Sequence, residues 1–155
     1  MLPFRSQPPP PRLRPGYQLS WQGPCTAAEL DRLLRLCAER PRGDELWQKV
    51  LHCSAWCVAI RDETGQLVGF LRATSDQALN ANLWDLLSDP GDPARDEVIH
   101  GLVQAALQRL RKELGGCSIS VSAPPEALEA LRRVGFVVDP GGIRAMGLEL
   151  GSPSL

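Results

Sequence analysis

The stretch that most constrains this chain is Leu83-Trp84-Asp85-Leu86-Leu87-Ser88-Asp89-Pro90, which a short loop joins to a long amphipathic helix from about Ala94. An apolar strand that ends in Asp-Pro and feeds a helix commits the chain to a sheet with helices packed on it. It also aims the helix's unpaired N–H groups and the positive end of its dipole at the strand's end, where a phosphate-bearing ligand is commonly received. Loops of that kind use glycine so that the backbone can approach the phosphates. Here the loop reads Gly91-Asp92-Pro93-Ala94-Arg95-Asp96-Glu97-Val98-Ile99-His100-Gly101, and the glycines are not where such a loop needs them. Asp92, Asp96 and Glu97 add negative charge at the same place, and acids in a helix's first turn already satisfy its dipole.

At 155 residues the chain is one domain with room for a real core. A net charge of −1 argues against a nucleic-acid partner held through its phosphates, which needs a basic excess on one face. No apolar run approaches the roughly 20 residues of a membrane span, so no membrane partner is expected. Cys25, Cys37, Cys53, Cys57 and Cys117 are scattered without a CxxC pair, and His52 and His100 are the only histidines. No metal and no disulfide are expected; the cysteines read as buried free thiols of a reducing compartment, and the location as cytoplasmic. Arg5, Arg12 and Arg14 precede any acid, as in an organelle transit peptide, but the stretch is short and poor in serine.

Residues 1–16 hold six prolines and read as an extended, flexible arm, a solvated tail or one lying along the surface, with docking of a protein partner as the alternative. A single domain is expected over 17–150, with a tail at 151–155. Tyr17 to Trp21 alternates as a strand. Thr26 and Glu29 form a capping box for a helix whose apolar face is Leu30, Leu33, Leu34 and Cys37. A short helix follows from Asp44 to about Leu51. Trp56 to Ile60 and Leu67 to Leu71 are strands joined by a turn at Asp62-Glu63-Thr64-Gly65-Gln66, hence an antiparallel hairpin. The helix after Pro93 carries Val98, Leu102, Ala106 and Leu110 on one line and ends at Gly115-Gly116. Further strands are predicted at Cys117 to Val121, Phe136 to Val138 and Met146 to Leu150, with a helix from Pro124 or Pro125 closing at Gly135. The order is β-α-α-β-β-β-α-β-α-β-β, a mixed, mostly antiparallel α/β sheet flanked by helices.

In that order, Arg72-Ala73-Thr74-Ser75-Asp76, Asn80-Ala81, Trp84-Asp85, Asp89-Pro90, Val134-Gly135-Phe136 and Asp139-Pro140-Gly141-Gly142-Ile143-Arg144-Ala145-Met146 resemble the GCN5-related N-acetyltransferase (GNAT) family. The likeness runs from about Tyr17 to Leu150. It is greatest toward the plant-chloroplast and cyanobacterial branch that includes serotonin N-acetyltransferase. The resemblance implies a GNAT fold and an acetyl-CoA cleft. It puts pantetheine along Leu86, Leu87 and Ser88, and the CoA diphosphate about Arg95, Asp96, Val98, Ile99, His100 and Gly101. It implies direct attack of an amine on the thioester, the amine belonging to a small molecule or to a protein. The family's Gln/Arg-x-x-Gly-x-Gly/Ala loop keeps only Arg95 here, and the tyrosine that serves the leaving thiolate falls on Leu131.

Asp85 is the candidate general base, the alternative being a structural hydrogen bond. His100 could contact phosphate or act as base, against the plainer reading of an exposed helix residue. Asp76 reads as a turn residue, and Trp47, Trp56, Trp84 and Leu131 as core. Cys57 lacks a paired histidine and reads as buried filler. Two functions are therefore carried forward. One is an acetyl-CoA-dependent N-acetyltransferase, an acyltransferase with an altered diphosphate loop. The other is a catalytically degenerate GNAT-fold protein kept for binding or regulation.

Overall fold

The computed structural model describes residues 12–142 and 147–148. Five strands form one sheet in the order β1-β2-β3-β4-β5: β1 Gln18–Trp21, β2 Trp56–Arg61, β3 Leu67–Ser75, β4 Asn80–Ser88 and β5 Ser118–Val121. The first three pairings are antiparallel and β4 with β5 is parallel. The helices are α1 Ala27–Leu36, α2 Asp44–Cys53, α3 Arg95–Glu113 and α4 Leu128–Arg133, the last preceded by a 3₁₀ turn at Pro125–Ala127.

Each face of the sheet has its own core. Leu30, Leu33 and Leu34 of α1 and Trp47 of α2 pack with Ala59, Phe70 and Leu87 on one face. Val98, Leu102, Val103 and Ala106 of α3 and Leu131 of α4 pack with Val58, Ile60, Leu71, Leu83 and Leu86 on the other. The apolar line expected along α3, Val98, Leu102, Ala106 and Leu110, is buried, and Ile99 and Val103 beside it form a second buried line. The capping box forms as read: Glu29 N donates to Thr26 Oγ1 at 3.2 Å and Thr26 N to Glu29 Oε2 at 2.9 Å. Gly135, at φ +104°, ends α4 with Phe136 N donating to Leu131 O and Gly135 N to Arg132 O, the paired bonds of a glycine-closed helix.

Four expectations are corrected. Phe136 to Val138 is not a strand: Val137 and Val138 are each 66% exposed, and no strand among the described residues pairs with them. The extended arm does not reach residue 16, because Leu13 packs against the α3-side core and Arg14 pairs with Glu97 at 3.1 Å. Trp84 is not core; its ring is 39% exposed and its Nε1 donates to Thr74 Oγ1. The cysteines are free thiols, yet none is fully buried, and Cys53 is exposed. The strand predicted at Met146 to Leu150 falls largely outside the described residues, as do residues 1–11 and 151–155. Among the described residues no helix is long and apolar enough to cross a membrane, and no cluster of three potential metal ligands occurs.

Helix α3 lies close on β3 because Gly69 presents no side chain to it. A Cβ at that position would stand 2.5 Å from Val98 Cγ1 and 3.1 Å from Leu102 Cδ1, both fully buried. Gly69→Ala should therefore lower stability by about 1–3 kcal/mol through overpacking, measured by urea unfolding; an unchanged midpoint would mean that α3 sits further from the sheet.

Candidate active site

The site begins with a break in β4. Ladder partners run Thr74↔Asn82, Ala73↔Leu83, Arg72↔Trp84, then resume at Phe70↔Leu87, so the register slips between Arg72 and Phe70. Asp85, inside the slip, has φ +53°, a left-handed conformation that costs a non-glycine residue about 1 kcal/mol or more. The extra residue shifts the side-chain alternation. Ala81, Leu83 and then Leu86 face the α3-side core, while Leu87 faces the α1-side core. Pairing with β5 stops at Leu83↔Val121, and the chain leaves through Ser122, Ala123 and Pro124 while β4 continues to Ser88. The two strands part there, and among the described residues β4 from Trp84 to Ser88 has no strand on that side.

The parting opens a cleft of about 510 Å³, walled by β4 on one side, by Ser122 to Glu126 on the other, and by Leu34, Cys37, Glu39 and Arg42 across it. Asp85 anchors it. Arg42 Nη1 and Nη2 donate to its two oxygens at 2.8 and 2.6 Å, and Arg72 Nε donates at 2.5 Å. Arg42 is delivered by the turn between α1 and α2, which folds around buried Asp31. That carboxylate accepts from Arg42 N, Gly43 N and Trp47 Nε1 at 2.8, 2.9 and 2.7 Å, and the Arg42 guanidinium lies 4.5 Å over the Trp47 ring. Burial alone would push the carboxyl of Asp85 up, but the Arg42 and Arg72 guanidiniums outweigh it and hold it below the usual carboxylate range. So tightly held an anion is a poor acceptor for an ammonium proton at neutral pH. Asp85 thus makes the structural hydrogen bonds of the alternative reading, both of its oxygens engaged by guanidiniums.

The other expected site residues separate into two groups. Leu86 and Leu87 line the cleft. Ser88 is buried at its end, where its Oγ accepts from Arg95 Nε at 3.0 Å and its carbonyl from Cys37 Sγ at 3.3 Å. Arg95 reaches across the cleft's end to Glu126, Nη2 to Oε1 at 2.7 Å. By contrast, the side chains of Val98 and Ile99 are core, and Gly101 packs toward Ile60 and Leu13. His100 is buried, not exposed. Its Nδ1 lies 2.8 Å from Asp96 O, which can only accept, so Nδ1–H donates there, and Nε2 is buried without a partner among the described residues. His100 borders a second hollow of about 170 Å³, shared with Asp96, Glu126, Glu129 and Arg133. Leu131 is 2% exposed within the α3-side core and supplies no acid. Tyr17 is no substitute: burial first, and then its bond to Asp92, push its hydroxyl up to about 12. Burial likewise raises Cys37, so the cleft's sulfur is a thiol and not a nucleophilic thiolate.

Sequence reasoning missed Arg42, Glu39 and Glu126, which come from loops far apart in the chain and carry no local pattern.

With this geometry described, the comparisons are specific. No family model matches the chain. It is 39% identical over 88 residues to the protein named histone acetyltransferase TAP1 of Glycine max, covering 55% of this chain and 36% of that one. It is 37% identical over 89 residues to the chloroplastic GCN5-related N-acetyltransferase 2 of Arabidopsis thaliana, covering 56% and 33%. The match thus spans about a third of these relatives. By structure, a probable acetyltransferase of Staphylococcus aureus superposes with a TM-score of 0.73 at 15% identity, over 86% of this chain and 99% of that one. A GNAT family N-acetyltransferase of Escherichia coli, solved in complex with CoA, gives 0.60 at 20% identity over 84% and 73%. The fold is the GNAT fold, and the sequence relatives are GCN5-related N-acetyltransferases, chloroplastic ones among them.

Asp85→Asn leaves two guanidiniums facing a neutral side chain and should cost about 2–4 kcal/mol in urea unfolding near pH 7. The folded carboxyl titrates below its unfolded value near 4, so its contribution is present above that value and lost as pH falls through the lower folded one. The gap between wild type and Asp85→Asn should therefore close on acidification below about pH 4, and a gap independent of pH would contradict the assignment.

Proposed function

We propose that this chain is a GNAT-type N-acetyltransferase that transfers acetyl from acetyl-CoA to an amine, either a small amine or a protein amino group. The observation that carries the reading is the parting of β4 from β5 beyond Leu83, beside a cleft open along Trp84 to Ser88. An extended pantetheine arm carries two amides and can pair with a free strand edge as a further strand would. Sequence kinship to proteins named as acetyltransferases supports the same reading.

In the step proposed, the neutral amine attacks the thioester carbonyl, the C–N bond forms, and the C–S bond breaks. The amine gives up one proton and the departing pantetheine thiolate takes one. Asp85 holds the bulge and Arg42 in place and stays ionised throughout. Among the described residues Glu39, at the exposed rim of the cleft, is in no ion pair, and the reading gives it the amine's proton. Leu131 gives nothing to the thiolate, so its proton comes from water admitted by the open cleft.

The second reading, a GNAT-fold binding or regulatory protein without turnover, is favoured by the leucine at position 131 and by the acids at the start of α3. Calorimetric titration with acetyl-CoA, followed by a thiol-release assay with amines and peptides, separates the two. The acetyltransferase reading predicts a dissociation constant below about 1 mM, amine-dependent thiol release, and loss of both in Ser122→Trp, whose indole fills the cleft. Binding without release for any amine would favour the second reading; no binding would remove the first.

A further inference from the structure

Every backbone amide from Asp89 to Arg95 is either absent or already satisfied within the protein. Asp89 N donates to Val68 O at 2.8 Å, Gly91 N to Asp89 Oδ1 at 2.9 Å, and Asp92 N to Asp89 O at 3.1 Å. Ala94 N donates to Asp92 Oδ1 at 2.7 Å and Arg95 N to Asp92 O at 3.2 Å. Pro90 and Pro93 have no N–H to give. Asp92 is in turn fixed by Tyr17, whose hydroxyl lies 3.0 Å from both carboxylate oxygens. The carboxylate of Asp92 thus lies beside the start of α3, held by Tyr17 and by Ala94 N, although no side chain caps the helix itself.

The nearby guanidiniums are also engaged. Arg14 pairs with Glu97 at 3.1 Å and also donates to Pro93 O, and Arg95 pairs with Glu126 at 2.7 Å. Glu97 Oε2 is buried without a hydrogen-bond partner, and Asp96 adds a third acid to the turn. No residue between Pro90 and Gly101 adopts a positive φ, so the loop shows none of the backbone turning that wraps phosphates. A diphosphate arriving here would displace Asp92 or Glu126 and meet uncompensated carboxylates. The pantetheine part of the cleft, along Trp84 to Ser88, carries no such obstruction.

We infer that this protein recognises its acyl donor by the pantetheine thioester arm and not by the nucleotide diphosphate. Its donor class is then pantetheine thioesters in general, and the nucleotide of CoA contributes little. The inference rests on the reading that the cleft takes a pantetheine thioester, and it narrows what that cleft selects.

The test compares S-acetylpantetheine with acetyl-CoA by calorimetry on the full chain at low salt, where a diphosphate contact would show most. The two dissociation constants should agree within about threefold, and acetyl-CoA binding should change little between low and moderate salt. Asp92→Asn keeps acceptors for Tyr17 and Ala94 while removing the charge, and Glu126→Gln frees Arg95 at an exposed position. Each should shift the affinity ratio toward acetyl-CoA by about three- to tenfold. Acetyl-CoA bound thirtyfold or more tightly than S-acetylpantetheine by the wild type, at about 1.4 kcal/mol per tenfold, would overturn the inference and leave the acetyltransferase reading standing. A ratio unmoved by either variant would also overturn it. Failure of both ligands to bind would overturn the reading of the cleft, and the inference with it.

Discussion

The ion triad of Arg42, Asp85 and Arg72 is the interaction on which the rest of the site depends. It holds one residue of β4 in a left-handed conformation, which costs a non-glycine residue free energy that the two guanidinium contacts offset. The bulge shifts the side-chain alternation by one residue, so Leu86 still reaches the core that Leu83 serves. It also turns β4 away from β5. Without it the two strands could run side by side to Ser88, and no cleft would separate them.

The walls are held independently. On one side Asp31 gathers two amides and an indole N–H at the turn between α1 and α2, which fixes where Arg42 starts. On the other, α3 sits tightly on the sheet over Gly69, and α4 closes on Gly135 with Leu131 in the core. The cleft also has carboxylates of its own at one end. On the reading proposed above, strand-edge pairing would serve the thioester end of a ligand, and its phosphate end would meet those carboxylates.

Much of the scaffold was legible in the residues. The Thr26–Glu29 box, the hairpin turn at Asp62 to Gln66, the paired apolar lines of α3 and the Gly135 stop are local patterns with local causes, and each formed as read. The excess of acid at the start of α3 was legible as well, though not that Asp92 would bond to Ala94 N and Tyr17. The bulge shows in the packing and not in the sequence: Leu83 and Leu86, three positions apart, serve the same core, which a regular strand's alternation does not allow. Three features could not be read locally. Trp84 looked apolar and proved partly exposed, because regular alternation after Ala81 and Leu83 puts it on the opposite face, where its Nε1 reaches Thr74. His100 looked exposed and is buried, because α4 packs over that side of α3. Asp85 looked like a base and is a structural anion, because Arg42 arrives from a turn 43 residues away.

The central claim is that the free edge of β4 is where ligand binds, and amide NMR shifts on titration with acetyl-CoA test it most directly. The largest changes should fall on Trp84 to Ser88 and on the facing segment Ser122 to Glu126, with small ones from Gly91 to Arg95. Large shifts confined to Gly91 to Arg95, with Trp84 to Ser88 unmoved, would contradict it.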